Sequence, residues 1–164
     1  MSFETDYRSL VEAGFEWRAF QMAEPAERAD RVFELVSART SAPTLKDLYK
    51  ALDDVVAQTY RDAASSKSFM QIFQGPMVGK KDKSDPYGDA LRALRQKHTY
   101  VLQLRYWDGL STEEMAELRG TSVEQAEVDL AQAELAFLKK AEKRGPVGDV
   151  AALLIELKPG ELRR

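Results

Sequence analysis

The chain has 164 residues, of which 44% are hydrophobic, so it has the length of one domain or two small ones with a packed core. Its net charge of −3 argues against a general nucleic-acid binder, and the absence of cysteine excludes disulfides, thiolate metal sites and a cysteine nucleophile. No apolar run approaches the ~20 residues that span a bilayer, and the first residues lack a secretory pattern, so we expect a cytoplasmic protein with no membrane partner.

Three amphipathic helices are predicted in the amino-terminal half from apolar residues that recur at three- and four-residue steps. The first carries Phe3, Tyr7, Leu10, Val11, Gly14, Phe15 and Trp17. The second starts near Pro25, because proline suits the first turn of a helix. After a loop at residues 40–44, Thr44 and Asp47 can cap a third helix that runs to Tyr60. We therefore expect a small helical bundle over residues 1–74.

A flexible linker is predicted at residues 75–88. This segment contains two prolines, three glycines and the run Lys80-Lys81-Asp82-Lys83. Such a composition buries little apolar area, so it separates helical lobes instead of joining a core. The three lysines fit a solvated linker, and contact with DNA is the alternative interpretation.

Residues 111–137 carry the local signals of a helix-turn-helix. Ser111 and Glu114 can form a capping box, and Gly120 falls where a helix end requires a positive φ. Ser122 or the threonine before it can cap the next helix. That helix repeats apolar residues that face a core, at Val123, Ala126, Leu130, Ala133 and Phe137. Two helices joined by a tight turn are therefore predicted.

Residues 89–144 resemble the fourth conserved region of bacterial sigma factors of the extracytoplasmic-function type. The matching segments are Asp89–Leu94, Val101–Tyr106 and Gly109–Glu117. Within residues 45–64, Leu52–Ala63 resembles part of the family's second region. The resemblance implies a divergent all-α member with an amino-terminal bundle, a linker at 75–88, the helix-turn-helix bundle at 89–144 and a carboxy-terminal extension at 145–164.

The resemblance also implies the core RNA polymerase as a partner. The polymerase contacts that it implies are Asp54, Gln58, Tyr60, Tyr106 and Trp107. The second helix of the motif would offer a face to promoter DNA or to a regulatory protein, made of Glu124, Gln125, Glu127, Val128, Asp129 and Gln132. The family's second region continues into an aromatic and basic segment that melts the promoter. Here that position holds only a short apolar group before Gly75, made of Phe69, Met70, Ile72 and Phe73. Independent promoter opening is therefore not expected.

The charge of the motif departs from the family, which commonly places Lys or Arg on this helix. Residues 111–137 carry seven acidic side chains and Arg119 alone, a formal charge of −6. Attraction to the phosphate backbone supplies much of the affinity of such modules, so we expect direct promoter recognition to be weak or absent. The alternative is a sigma-derived module that has lost DNA binding and binds a basic regulatory partner.

Two features follow the motif. The first is a basic cluster of four residues, Lys139, Lys140, Lys143 and Arg144. It either complements the negative end of the helix dipole or contacts phosphates. The second is an apolar ridge that predicts a short helix, ending before Pro159, at Val150, Leu153, Leu154 and Leu157. This helix either packs back on the bundle or docks another protein.

Catalysis is not expected. His98 is the only histidine, and the adjacent pair Asp53 and Asp54 would point about 100° apart on a helix. No glycine-rich phosphate loop follows a strand, and no nucleophile has a base at a recognisable spacing. We therefore predict no enzyme activity, no metal and no cofactor.

Overall fold

A computed structural model of the chain describes residues 2–19, 24–65 and 85–159, and these ranges form helices and their connections without a β-strand. The all-α prediction is therefore confirmed. The chain divides into two compact units, Met1–Lys83 and Ser84–Arg164. Within the described ranges, every helix is too short or too polar to cross a bilayer.

Over residues 2–19 and 24–65, the first unit is a bundle of three helices. Its helices are α1 Phe3–Arg18, α2 Pro25–Arg39 and α3 Leu45–Ser65. Helix α2 packs against both α1 and α3, which also touch each other. The largest fully buried side chains come from the predicted apolar faces and include Val11, Phe15, Val32, Leu45, Leu48 and Leu52. Burial of this shared apolar surface is what stabilises the three helices together.

Local contacts fix the ends of these helices. The Asp47 carboxylate accepts hydrogen bonds from the Thr44 hydroxyl at 2.7 Å and the Thr44 amide at 3.0 Å, and these bonds lower the pKa of Asp47. The predicted cap of α3 is therefore formed. At the other end of α3, Tyr60 is 41% exposed and its hydroxyl donates to the Arg18 carbonyl at 2.7 Å. This bond ties α3 to the end of α1.

The second unit is built around one long helix. Its elements are α4 Pro86–Arg92, α5 Gln96–Leu102, a π turn at Gln103–Trp107, α6 Thr112–Arg119, α7 Val123–Ala141 and α8 Val150–Glu156. Helix α7 packs against α4, α5 and α6, whereas α8 packs on the π turn. The buried core includes Leu102, Leu104, Leu110, Met115, Ala126, Phe137 and Leu154.

Helix α4 begins inside the predicted linker, so the linker boundary at residue 88 was wrong. The Asp85 carboxylate accepts from the Tyr87 amide at 3.0 Å, and Pro86 occupies the first turn, where a missing N–H costs no hydrogen bond. This start signal outweighs the proline and glycine that suggested a linker. Residues 75–84 and the apolar group at 69–73 lie outside the described residues.

Helix α5 runs directly into the π turn at Gln103–Trp107. The Asp108 amide donates to the Gln103 carbonyl at 3.0 Å, which widens the helix by one residue. Leu104 and Trp107 are both buried within this turn. The widened turn therefore places two large side chains in the core immediately before the helix-turn-helix.

Candidate functional site

Helices α6 and α7 form the predicted helix-turn-helix. The Ser111 hydroxyl accepts from the Glu114 amide at 3.1 Å, and the Glu114 carboxylate accepts from the Ser111 amide at 2.8 Å, which completes the capping box. Gly120 has φ 66, and the Thr121 amide bonds the Ala116 carbonyl at 3.0 Å. The Ser122 hydroxyl then caps α7 by accepting from the Gln125 amide at 3.1 Å. Each local signal in the sequence is therefore realised.

The inner side of α7 faces the other helices of its unit. Ala126, Ala133 and Phe137 are fully buried, while Val123 and Leu130 are partly buried. The predicted stripe thus forms the core contact. It also fixes which side of α7 remains exposed, since residues half a turn away must face solvent.

Most of the predicted partner or DNA face is exposed. We define the outer face of α7 as its exposed residues before the basic cluster, which are Glu124, Gln125, Glu127, Val128, Ala131, Gln132 and Leu135. Asp129 does not belong to it, which corrects the prediction. Its carboxylate pairs with Arg119 at 2.8 Å and accepts from the Gln125 amide group at 2.8 Å.

The ion pair between Arg119 and Asp129 changes the electrostatics of the motif. Both side chains are largely shielded, with 23% and 22% of their surface exposed. The hydrogen bond from Gln125, followed by the contact with Arg119, lowers the pKa of Asp129. Arg119 is the only cation in residues 111–137, so its charge is neutralised inside the fold. The motif offers no unpaired cation of its own to a phosphate.

A second acid is also held inside the unit. The half-buried Tyr106 hydroxyl donates to the Glu134 carboxylate. Burial, followed by this neighbouring carboxylate, raises the pKa of Tyr106. The predicted acidity of the helix is therefore concentrated at its amino-terminal end, where Glu124 and Glu127 are exposed and make no ion pair within the described part of the chain.

The outer face also carries apolar side chains, of which the sequence analysis named Val128 but missed Ala131 and Leu135. Val128 is 48% exposed and Leu135 is 52% exposed, with exposed Ala131 between them. A shallow groove of about 380 Å³ runs beside them and is lined by Tyr106, Ala131, Glu134, Leu135, Leu138, Val150 and Ala151. The three- and four-residue spacing of these apolar positions was a signal that could have revealed them.

Trp107 does not fit its predicted role as a surface contact. It is only 8% exposed, and its indole N–H donates to the Leu154 carbonyl at 2.9 Å. The bond joins the π turn to α8, so the side chain holds the extension in place. Tyr106 remains half-buried at the edge of the groove beside α7.

The predicted polymerase contacts on α3 separate into two places. Asp54 and Gln58 line a groove of about 660 Å³ between α2 and α3. Asp54 pairs with Arg39 at 2.7 Å, and the Gln58 side chain donates to Asp62 at 2.6 Å. Tyr60 does not line this groove, because it bonds the end of α1 instead. Of the three predicted contacts on α3, the structure therefore brings together only Asp54 and Gln58.

The basic cluster lies at the carboxy-terminal end of α7. Lys139, Lys140 and Lys143 are exposed and have no ion pair among the described residues. Arg144 lies 3.8 Å from the Asp89 carboxylate. This position complements the negative end of the helix dipole, and the three lysines remain available to an anionic partner.

The described ranges contain no group of His, Asp and Glu side chains arranged to hold a metal ion. His98 is half-buried beside a very small cavity of about 40 Å³ that Arg119 and Asp129 also line. Comparison with known proteins gave no match to a family model, to a curated protein or to a solved structure.

Proposed function

We propose that this chain is a divergent sigma-factor-like transcription protein, acting in initiation or regulation through RNA polymerase, with weak or absent direct recognition of DNA. The observation that carries the proposal is the α6–α7 pair, whose capping box, left-handed Gly120 and Ser122 cap support a helix-turn-helix. Such a helix pair is common in transcription proteins. The resemblance of residues 89–144 supplies the family.

The charge arrangement supports the second half of the proposal. A helix that enters the major groove needs cations to position it against phosphates before it can recognise bases. Here the only cation of the motif is paired with Asp129, and the exposed start of α7 carries Glu124 and Glu127. Contact with DNA through this face would place like charges together. The same repulsion does not disfavour action through the polymerase.

The alternative function is a sigma-derived interaction module that binds a basic regulatory partner. One observation favours it: the outer face combines exposed acids with exposed Val128 and Leu135. Apolar side chains surrounded by one sign of charge are typical of a protein interface.

The test is a pull-down of the tagged full chain with purified core polymerase and fragmented genomic DNA, followed by sequencing of retained DNA. We expect polymerase to be retained and DNA to be near background. Asp54→Arg should weaken polymerase retention, because it reverses charge in the α2–α3 groove. The matched control is Asp6→Arg, an exposed residue of α1 that does not line this groove.

Three outcomes are informative. No retention of polymerase rejects the proposal. Retention of discrete promoter fragments would establish a working initiation factor despite the acidic helix. If the same pull-down is repeated with cell lysate, retention of a basic protein without polymerase, weakened by Glu127→Lys, would favour the interaction module.

A further inference from the structure

The α2–α3 groove of the first unit has a volume of about 660 Å³ and a lining rich in charge. The arginines that line it are Arg28, Arg31, Arg39 and Arg61. The acids that line it are Glu27, Asp54 and Asp62. Small-molecule sites have volumes of about 300 to 1,000 Å³, so the groove has the size of such a site. Its arginines outnumber its acids, although the whole chain is acidic.

Three of the arginines line the same end of the groove. Helices α2 and α3 are joined by a short loop and pack against each other, so they run in opposite directions. Arg39, at the end of α2, pairs with Asp54 of α3 at 2.7 Å. At 1.5 Å per residue, Arg31 lies about 12 Å back along α2 from this pair, and Arg61 lies about 10 Å further along α3. Arg28 is one turn beyond Arg31, so it lies at the same end.

Arg28 carries a charge that the fold does not pair. Its side chain is half-buried, and its Nε is closed to solvent without a hydrogen-bond partner in the part of the chain that the structure describes. The Nη edge of the guanidinium is then the part that can meet a ligand. A guanidinium that has lost hydration at one nitrogen gains more from an anion than a fully hydrated one does.

The other two arginines at this end are engaged only by exposed side chains. Arg31 pairs at 2.9 Å with Glu34, which does not line the groove, and Arg61 donates to the Gln58 side chain at 2.8 Å. Exposed contacts of this kind contribute little to stability, so both guanidinium groups can turn to a ligand. Phosphate oxygens match the planar N–H forks of arginine. This end of the groove is therefore suited to a phosphate group.

The acids of the groove retain oxygens for hydroxyl donors. The Gln58 side chain donates to Oδ1 of Asp62 at 2.6 Å, and Arg39 pairs with Oδ2 of Asp54. The second oxygen of each carboxylate can accept another hydrogen bond. A ligand with negative charge along its whole length would be repelled by these acids, and an uncharged ligand would leave the arginines without an anion. The lining therefore fits a molecule with one anionic group and several hydroxyl groups.

We propose that the α2–α3 groove binds a phosphorylated sugar. Its phosphate is held by Arg28, Arg31 and Arg61, and its hydroxyl groups donate to Asp54 and Asp62. Nucleic acid also combines phosphate with sugar, but it repeats the negative charge along its length and would bring further phosphates against the acids of the groove. The ligand is therefore a small molecule, and its binding does not depend on the proposed function.

Isothermal titration calorimetry of the full chain tests the proposal. The probes are glucose 6-phosphate and ribose 5-phosphate, with the two unphosphorylated sugars and inorganic phosphate for comparison. For at least one sugar phosphate we expect a Kd on the order of 100 µM. Inorganic phosphate should bind roughly tenfold more weakly, since it makes no hydroxyl contacts, and the unphosphorylated sugars should give no measurable heat.

Arg31→Gln with Arg61→Gln should raise the Kd for the sugar phosphate roughly tenfold or more, because two charge-assisted contacts are lost. Arg28→Gln should act in the same direction. The matched control is Arg92→Gln with Arg95→Gln, which removes the same charge from exposed residues of the second unit and should bind like the natural chain. Circular dichroism checks that every variant keeps its helical content.

Asp62→Ala separates recognition of the sugar from recognition of the phosphate. The substitution removes a hydroxyl acceptor, so the Kd for the sugar phosphate should rise roughly fivefold. Inorganic phosphate should bind as well as before or better, because a negative charge has left the groove. Loss of inorganic phosphate binding in this variant would contradict the assigned role of Asp62.

Absence of binding by both sugar phosphates overturns the proposal. So does equal affinity for inorganic phosphate, which would mean that the groove holds any small anion, or a Kd that the arginine substitutions leave unchanged. Binding of duplex DNA that Arg31→Gln with Arg61→Gln weakens, without binding of a sugar phosphate, would assign the groove to nucleic acid instead. Polymerase takes no part in these measurements, so their outcome is separate from that of the proposed function.

Discussion

At the scale of single residues, Asp129 decides which charge the helix-turn-helix presents. Its sequence position predicts an acid on the exposed side of α7, but its carboxylate is turned towards Arg119 and Gln125. The pairing removes one negative and one positive charge from the surface together. The net charge is unchanged, but the only cation in residues 111–137 is no longer free to contact an anion.

Asp129→Asn should reduce stability at neutral pH but have little effect in acid. The folded state lowers the pKa of this carboxyl below its ordinary value of 3.8, so the ionised group stabilises the fold above that value, and the contribution is lost as pH falls through the lowered pKa. We expect the substitution to cost about 1 kcal/mol at neutral pH. Urea denaturation across a pH series measures the difference.

The control for this prediction is Glu124→Gln, which removes an exposed carboxylate of the same helix that makes no ion pair within the described residues. Its stability should differ little from that of the natural chain at each pH. An Asp129→Asn variant whose deficit stays constant into acid would contradict the electrostatic explanation and point to a packing effect.

Gly120→Ala should destabilise the second unit. Gly120 has φ 66, a left-handed conformation that costs a residue with a Cβ about 1 to 2 kcal/mol. No atom lies within 4 Å of the added Cβ, so the cost comes from the backbone and not from a clash. Chemical denaturation measures it. Gly148→Ala is the matched control, because its site is equally open and lies outside the left-handed region, and an equal loss in both variants would contradict the prediction.

At the scale of elements, the position of α8 depends on a buried side chain and a buried hydrogen bond. The helix has only 7 residues, too few to be stable alone in water. Leu154 buries its side chain, and its carbonyl accepts the Trp107 indole N–H. The apolar contact and the hydrogen bond together hold α8 on the π turn.

Trp107→Phe should loosen α8 while leaving the helix-turn-helix folded. The substitution keeps an aromatic ring but removes the donor to the Leu154 carbonyl, at a cost of about 1 to 2 kcal/mol. Hydrogen exchange measured by mass spectrometry should show faster exchange at residues 150–156, with α6 and α7 protected as before. Trp17→Phe, in the other unit, is the control. Faster exchange throughout Ser84–Arg164 would mean that Trp107 supports the whole unit.

Interactions within about four residues were predictable from the sequence. The capping box of Ser111 and Glu114, the left-handed Gly120 and the Ser122 cap depend on side chains and amides that are neighbours along the chain. Their outcome is set locally, so the elements and the two ends of the helix-turn-helix could be assigned without tertiary information. The apolar periodicity of α7 likewise identified its buried side.

Contacts between distant residues were not predictable in the same way. The bond from Tyr106 to Glu134 and the one from Trp107 to Leu154 depend on the packing of the π turn against α7 and α8. The π turn is likewise not encoded by periodicity, because the pattern of Val101–Tyr106 fits an ordinary helix. These contacts decide which acids are exposed and which aromatic is buried. The sequence therefore located the candidate site, but it did not show which of its side chains are exposed and which form contacts within the fold.

At the scale of the whole molecule, the net charge of −3 conceals a local arrangement that matters more. The start of α7 is acidic, its end is basic, and Val128 and Leu135 between them are exposed apolar side chains. In a helix-turn-helix that binds DNA, the amino-terminal residues of the second helix contact the base edges. In this chain those residues include exposed Glu124 and Glu127.

Glu124→Lys with Glu127→Lys should therefore raise the affinity of the chain for duplex DNA above that of the natural protein. Reversing both charges removes repulsion at the start of α7 and adds two cations, each worth roughly 0.9 in the salt slope if it neutralises a phosphate. Fluorescence anisotropy with labelled DNA over a salt series measures the gain. Glu24→Lys with Glu27→Lys makes the same change in net charge on the other unit; equal gains in the two variants would mean that net charge, and not the outer face of α7, sets the affinity for DNA.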